Sequence, residues 1–404
     1  MAVSFGILYS EIKTELKTSH VETAWIFSFF NGLLGLTGLP LGFLLHKTNE
    51  RWLTVIGTFF LIAGMISSSF ASKISTLYIT YGVISGVGAG IVHYCANTII
   101  VRHFSSKWCP LAITIANSGS AVSSLVFPPV LTASIQSYGW KTTFMLLSGT
   151  SAVGLFSAAS YVAPDKDIDT KISKEAHHDE YKDDPKKHTE PLKVRKMAIE
   201  VLKNCKFMVF FISSFTAFTV IFVPSTFLPD FMRHAQRSRQ EISACVMVMG
   251  FGNLLGRLIS GAIATRFNQH VPWIHGLTLL GLAFSTILLA ISKSLISLIV
   301  LSLLLGLFSG GFFGLYTAVV AHYLDRSHIP VGLGLTIAAN GISSTTGMPL
   351  AGFVSDLYDG DDGAFVFGGC MMFFAALILS VNVIKEFFSK NDVSTEYEVE
   401  ITRF

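Results

Sequence analysis

Arg257 stands near the middle of an apolar run over 242–267, with Asn253 as the strongly polar neighbour on its helical face. A charged side chain at such depth is expensive unless it is paired or wetted. The planar guanidinium offers a fork of donors that fits a carboxylate. Arg257 is therefore a candidate contact for an anionic solute or a gating partner, the alternative being a structural pairing with backbone carbonyls or a helix end. Asn253 lies one turn earlier, where i and i+4 side chains meet, so it either bonds a solute, orients Arg257 or bridges helices. His93, Tyr94 and Asn97 cluster on one apolar stretch, with His93 and Asn97 on a shared face. Asn117 follows on the next stretch, and Tyr316, His322, Tyr323 and Asn340 lie further along. Each either lines a polar path through an interior or ties two helices together. Arg257, Asn253, His93, Asn97, Asn117, Tyr316 and Asn340 form the candidate solute-binding set. No nucleophile elbow, phosphate loop or metal-spaced His pair occurs, so neither an enzyme, a metal site nor a cofactor is expected.

The elements that must carry these residues are set by composition. Of 404 residues, 51% are hydrophobic and 14% charged, against roughly a quarter charged in soluble domains. The apolar residues come in runs of about twenty, long enough to span a bilayer as helix. Eleven complete spans are expected, at 22–45, 52–70, 75–102, 108–134, 139–163, 206–232, 240–266, 271–292, 294–323, 329–354 and 363–388. Ahead of them, the uncharged opening ends at Glu11, Lys13, Glu15 and Lys17. That is half a membrane-spanning helix, which reads as a truncated first helix or, alternatively, an interfacial one. Counting it gives twelve spans.

The chain divides into an N-terminal helical half over 1–163, a polar linker over 164–205, a C-terminal six-helix half over 206–388 and a tail over 389–404. The linker carries Asp165, Lys166, Asp167, Asp183, Asp184, Lys186 and Lys187 and reads as flexible. Most of the 29 Lys and Arg residues fall in the even-numbered loops and the tail, which places the linker and both termini in the cytoplasm by the positive-inside rule. Arg233, Arg237 and Arg239 break the pattern. Asp356, with Asp359, Asp361 and Asp362 beyond it, reads as solvated or as a cap. A net charge of +3 without a basic stripe excludes nucleic acid, and the five separated cysteines indicate no disulfide framework.

The halves echo each other. Pro110 and Pro330 open corresponding helices 220 positions apart, and Pro128-Pro129 is answered by Met348-Pro349. Gly42 corresponds to Gly261, and Gly86, Gly88 and Gly90 correspond to Gly306, Gly310 and Gly311. Parallel repeats of six spans imply a rocker-type carrier with its site between the halves at mid-membrane.

More specific residues carry a resemblance. Lys107, Pro110, Leu111, Ala112, Ala116, Ser118, Gly119, Ser120 and Val122, the segment Tyr138-Gly139-Trp140-Lys141, Gly256-Arg257 and the set Pro349, Ala351, Gly352 and Asp356 resemble signatures of the monocarboxylate transporter family, across nearly the whole chain. The resemblance implies an all-α membrane protein with the major facilitator fold, six plus six transmembrane helices related by a pseudo-two-fold repeat. It implies a carrier of small monocarboxylates or related organic acids and amino acids, working by alternating access, at the plasma membrane, in some relatives with a single-span accessory glycoprotein. Three features depart from the pattern. The start of the first helix, with its buried lysine, is missing; Trp108 and Cys109 replace arginines; and Asn253 replaces an aspartate of proton-coupled members. A truncated, non-transporting relative that only binds partners is the alternative.

Overall fold

The computed structural model describes residues 5–38, 40–41, 49–103, 109–161, 190–325, 328–358 and 360–401. The charged residues expected in the linker between 162 and 189 lie outside them, as do Lys107, Trp108 and Asp359 and the side chains of Pro110, Leu111 and Ala112. Among the described residues the structure is helical throughout, without strands. Helix α1 is Phe5–Leu16, α2 His20–Leu36 and α3 Glu50–Ser69. A short helix Ile74–Leu77 runs through a π-helical stretch, Tyr78–Ser85, into α4, Gly86–His103. There follow α5, Cys109–Ser151, and α6, Val153–Ser160; then α7, Glu190–Lys203, α8, Cys205–Val220, and α9, Val223–His234. The chain ends with α10, Arg239–Arg266, α11, Val271–Ile291, α12, Leu295–Tyr323, α13, Ile329–Leu357, and α14, Asp362–Ile401.

Local chemistry sets several of these boundaries. Ser19 and Glu22 form a reciprocal capping box at the start of α2, and Ser238 and Glu241 do the same for α10. Each box satisfies two of the orphan donors of a helix start. Gly139, at φ 75°, breaks α5. Only glycine takes that conformation at little cost, and it falls at the boundary expected between the fifth and sixth spans. Eight of the described helices or merged helix pairs are long and apolar enough to cross a membrane. Helix α2 is 17 residues long and closes on Thr37, and α13, though 29 residues long, is rich in Gly, Ser and Thr.

The structure adds one helix, and lengthens another, where none was expected. Residues 190–203, assigned to the flexible linker, form α7 with Val201 buried, and the tail beyond 388 continues as helix to Ile401.

Glycines make the seams between helices. A Cβ on Gly86 would stand 3.0 Å from Phe30 Cα, which sets α4 against α2. A Cβ on Gly310 would stand 2.8 Å from Asn253 C, which sets α12 against α10 in the same way. The two halves thus repeat one backbone-to-backbone contact, as small residues allow in membranes. Between the halves, Gly35 packs on Gly341, where a Cβ would lie 2.7 Å from Cα, and Gly250 packs on the backbone of Ser124. These contacts join α2 to α13 and α5 to α10.

Candidate functional site

The seam between α10 and α12 positions the central polar group. Because Gly306 and Gly310 bring α12 onto α10, Asn253 Nδ2 reaches Ser309 Oγ at 2.9 Å. With its amide held from that side, Asn253 presents Oδ1 to Arg257, whose Nε donates to it at 3.0 Å. The guanidinium carbon lies 5.3 Å from the Phe313 ring centroid, a cation–π geometry that steadies the group without neutralising it. Among the described residues, no carboxylate comes within ion-pair distance of Arg257. Asn253 and Ser309 also line a cavity whose walls include Phe222, Met249, Leu282 and Phe313. The arrangement is an oriented guanidinium without a carboxylate partner among the described residues, held by Asn253, which itself lines a small, mostly apolar cavity; such a fork can take a carboxylate.

The other candidates form separate groups. Tyr316 and Asn340 are buried and bonded to each other, with Asn340 Nδ2 donating to the Tyr316 hydroxyl at 2.6 Å and Ser214 Oγ 3.2 Å from the same oxygen. That trio ties α12, α13 and α8 together inside the C-terminal half. His93 is exposed and Asn97 half-buried, with Asn97 Nδ2 3.2 Å from His93 Nε2. Asn117 is half-buried on α5. No hydrogen bond among the described residues joins these groups to Arg257.

Sequence reasoning missed a second polar centre, at the end of the bundle where α1 and α9 stop and α14 begins. Lys13 Nζ lies 2.6 Å from Asp230 Oδ2, and Ser10 Oγ donates to Asp230 Oδ1 at 2.9 Å. His20 Nδ1 lies 3.3 Å from Asp361 Oδ1, and His234 Nδ1 lies 3.5 Å from Asp361 Oδ2. Beside this centre, Glu11 pairs with Arg233 at 2.9 Å and with Arg239 at 3.1 Å. One expectation is corrected here and another is met. Asp361 is not solvated but 2% exposed, and burial pushes its carboxyl above the usual carboxylate range. Asp356 does cap a helix, though a distant one: it accepts from His20 N at 2.9 Å and Val21 N at 3.1 Å, closing the start of α2. A carboxylate at a helix N-terminus meets both unpaired N–H groups and the positive end of the dipole. Asp230 carried a usable signal, since a carboxylate inside the apolar run 206–232 marks a functional position by default.

Bilayer-length helices packed around a central arginine with no carboxylate partner among the described residues define a multi-pass helical membrane protein. The sequence profile of the Major Facilitator Superfamily matches residues 1–276 and 210–386, and the chain belongs to that superfamily. It is similar to monocarboxylate transporter 3 of Rattus norvegicus, 24% identical over 93% of this chain and 75% of that protein. It is likewise similar to monocarboxylate transporter 14 of Homo sapiens, 22% identical over 94% and 86% of the two chains. Among solved structures, a D-xylose-proton symporter superposes with a TM-score of 0.70 at 14% identity, covering 94% of this chain and 95% of that one. A POT family transporter in complex with 5-aminolevulinic acid gives 0.71 at 13%, covering 94% and 92%. At such identities the superpositions speak for the fold alone.

Proposed function

We propose that this chain moves small monocarboxylates, or related organic acids and amino acids, by alternating access, with the substrate carboxylate seated on Arg257. The observation that carries this is the guanidinium held by Asn253 at 3.0 Å with no carboxylate partner among the described residues. A half-buried cation inside an apolar helical run is costly when left uncompensated, and a bound carboxylate offsets that cost while exchanging one set of polar contacts for another. Asn253 and Phe313 hold the fork in place, and the apolar walls accept the rest of the solute. The family of the relatives, the monocarboxylate transporters, supports the same class of substrate.

In this reading the halves rock about the glycine seams, with the linker and both termini cytoplasmic, the Lys13–Asp230 end facing outward and the plasma membrane as the site of action. A non-transporting binding partner is not favoured, because the charged central group is retained in an oriented form. The test is initial uptake of radiolabelled monocarboxylates and amino acids in cells expressing the full chain. Arg257→Lys keeps the charge but loses the fork, so uptake is expected to fall at least tenfold at unchanged surface expression. Normal carboxylate uptake by Arg257→Ala would refute the assignment.

A further inference from the structure

The outer polar centre holds more buried negative charge than its positive groups balance. Asp230 and Asp361 are 1% and 2% exposed, yet Lys13 contributes the single ammonium between them. The third carboxylate, Asp356, is committed to the backbone of α2. Neither oxygen of Asp361 accepts a hydrogen bond among the described residues, although both are fully buried. Its nearest polar neighbours are the two imidazole nitrogens, His20 Nδ1 at 3.3 Å and His234 Nδ1 at 3.5 Å. Buried carboxylates without donors are expensive, so the place calls for a cation that fits between them.

The geometry points to a divalent transition-metal site formed by His20, Asp230 and Asp361, with His234 as a fourth donor. One ligand atom from each of the first three lies within 4.8 Å of the others. The separations of 3.3 Å from His20 Nδ1 to Asp361 and 3.9 Å to Asp230 are close to those between donors about 2.0–2.2 Å from a shared tetrahedral zinc. Binding would draw the more widely spaced donors, which lie within 4.8 Å, closer together. A donor set of imidazole and carboxylate selects zinc-like ions over calcium or magnesium, which favour all-oxygen shells.

Lys13 is the competitor. Its ammonium bonds Asp230 Oδ2 and reaches both ring nitrogens of His20, and the Tyr9 hydroxyl lies 3.1 Å from His20 Nδ1, so a bound ion would displace the ammonium and the phenol contact. When His20 Nδ1 binds metal, Nε2 carries the proton and no longer accepts from Lys13. The lysine, at 15% side-chain exposure near the end of α1, can turn to water. The exchange also balances charge, since two carboxylates neutralise one divalent ion, whereas one ammonium leaves them a charge short. Because the ligands come from α2 on one side and from α9 and the start of α14 on the other, a bound ion would strap the two halves together at this end.

The test is binding of Zn²⁺ alone to the purified full chain in lipid nanodiscs, by calorimetry and by radiolabelled zinc retention. Neither readout depends on transport or on the role given to Arg257. One ion per chain is expected, weakened at least about tenfold by Asp361→Asn or His20→Gln. Lys13→Gln should bind zinc more tightly, a gain that misfolding cannot mimic. Calcium at the same concentration should not compete. Zinc binding unaffected by Asp361→Asn and His20→Gln would overturn the proposal, as would no binding by either the native chain or Lys13→Gln.

Discussion

The two polar centres of this molecule are built on opposite charge balances. At the middle of α10, one guanidinium is oriented by Asn253 and Phe313 and faces no carboxylate among the described residues. At the far end, one buried carboxylate, Asp230, pairs with Lys13 and the other, Asp361, faces two imidazoles, each met from a distant segment of the chain. The difference assigns different work. A cation whose supports are all on its own half, on α10 and α12, keeps its charge available to a passing solute. Charges whose partners lie across α1, α2, α9 and the start of α14 are spent on holding the two halves together. On the alternating-access reading proposed above, the first kind of site would bind substrate and the second would be broken and remade in each cycle.

The comparison is broken most severely at the end cluster. Asp230→Asn removes the carboxylate that pairs with Lys13 and accepts from Ser10. Losing one partner of a buried pair costs roughly 3–5 kcal/mol when the other charge stays buried; because Lys13 can reach water, about 2 kcal/mol is the fitting expectation here. Thermal unfolding of the purified protein should drop by a few degrees while substrate affinity stays within about twofold. A large affinity loss with unchanged stability would mean that the two centres are not separable.

A smaller effect sharpens the description of the central site. Asn253→Ala leaves Arg257 without its positioning bond, worth about 1 kcal/mol, so the half-saturating substrate concentration should rise several-fold with stability nearly unchanged. Asn253→Asp is more telling, because it places a titratable group beside the arginine. Native uptake should vary less than about twofold between external pH 6 and pH 7.5 at clamped membrane potential, since an amide cannot titrate. The Asn253→Asp variant should show clear acid stimulation, because protonating the introduced carboxylate frees Arg257. A steep native profile would contradict this account of the central site and direct attention to His93, exposed beside Asn97, to His322, and to His20 and His234 in the end cluster.

How much of this was legible before the fold was known follows from the range of each interaction. The helical runs, the break at Gly139 and the pairing of Asn253 with Arg257 depend on residues a few positions apart, and periodicity exposes them. The link between Tyr316 and Asn340 spans 24 positions and exists only because α12 packs on α13; as isolated polar residues they resembled substrate contacts as much as helix ties. Asp356 reaches the start of α2 across 336 positions. Asp361 sat in a run of acidic residues that locally reads as a wet loop, and its burial comes from His20 and His234, which no local pattern could place beside it. The helical 190–203 segment was obscured by its charge content, although Val201 packs inward.

The central claim, that Arg257 reads a carboxylate, is tested most directly by competition between an acid and its amide. Uptake of a labelled monocarboxylate that the chain transports should be inhibited at least tenfold better by the unlabelled acid than by the isosteric primary amide, since a charged bidentate pair is worth about 1.5–3 kcal/mol over a neutral contact. In Arg257→Gln, measured at matched surface expression by binding if uptake is lost, that preference should collapse towards unity. If the variant still prefers the acid by the native ratio, the carboxylate is read elsewhere and the site described here is not the substrate site.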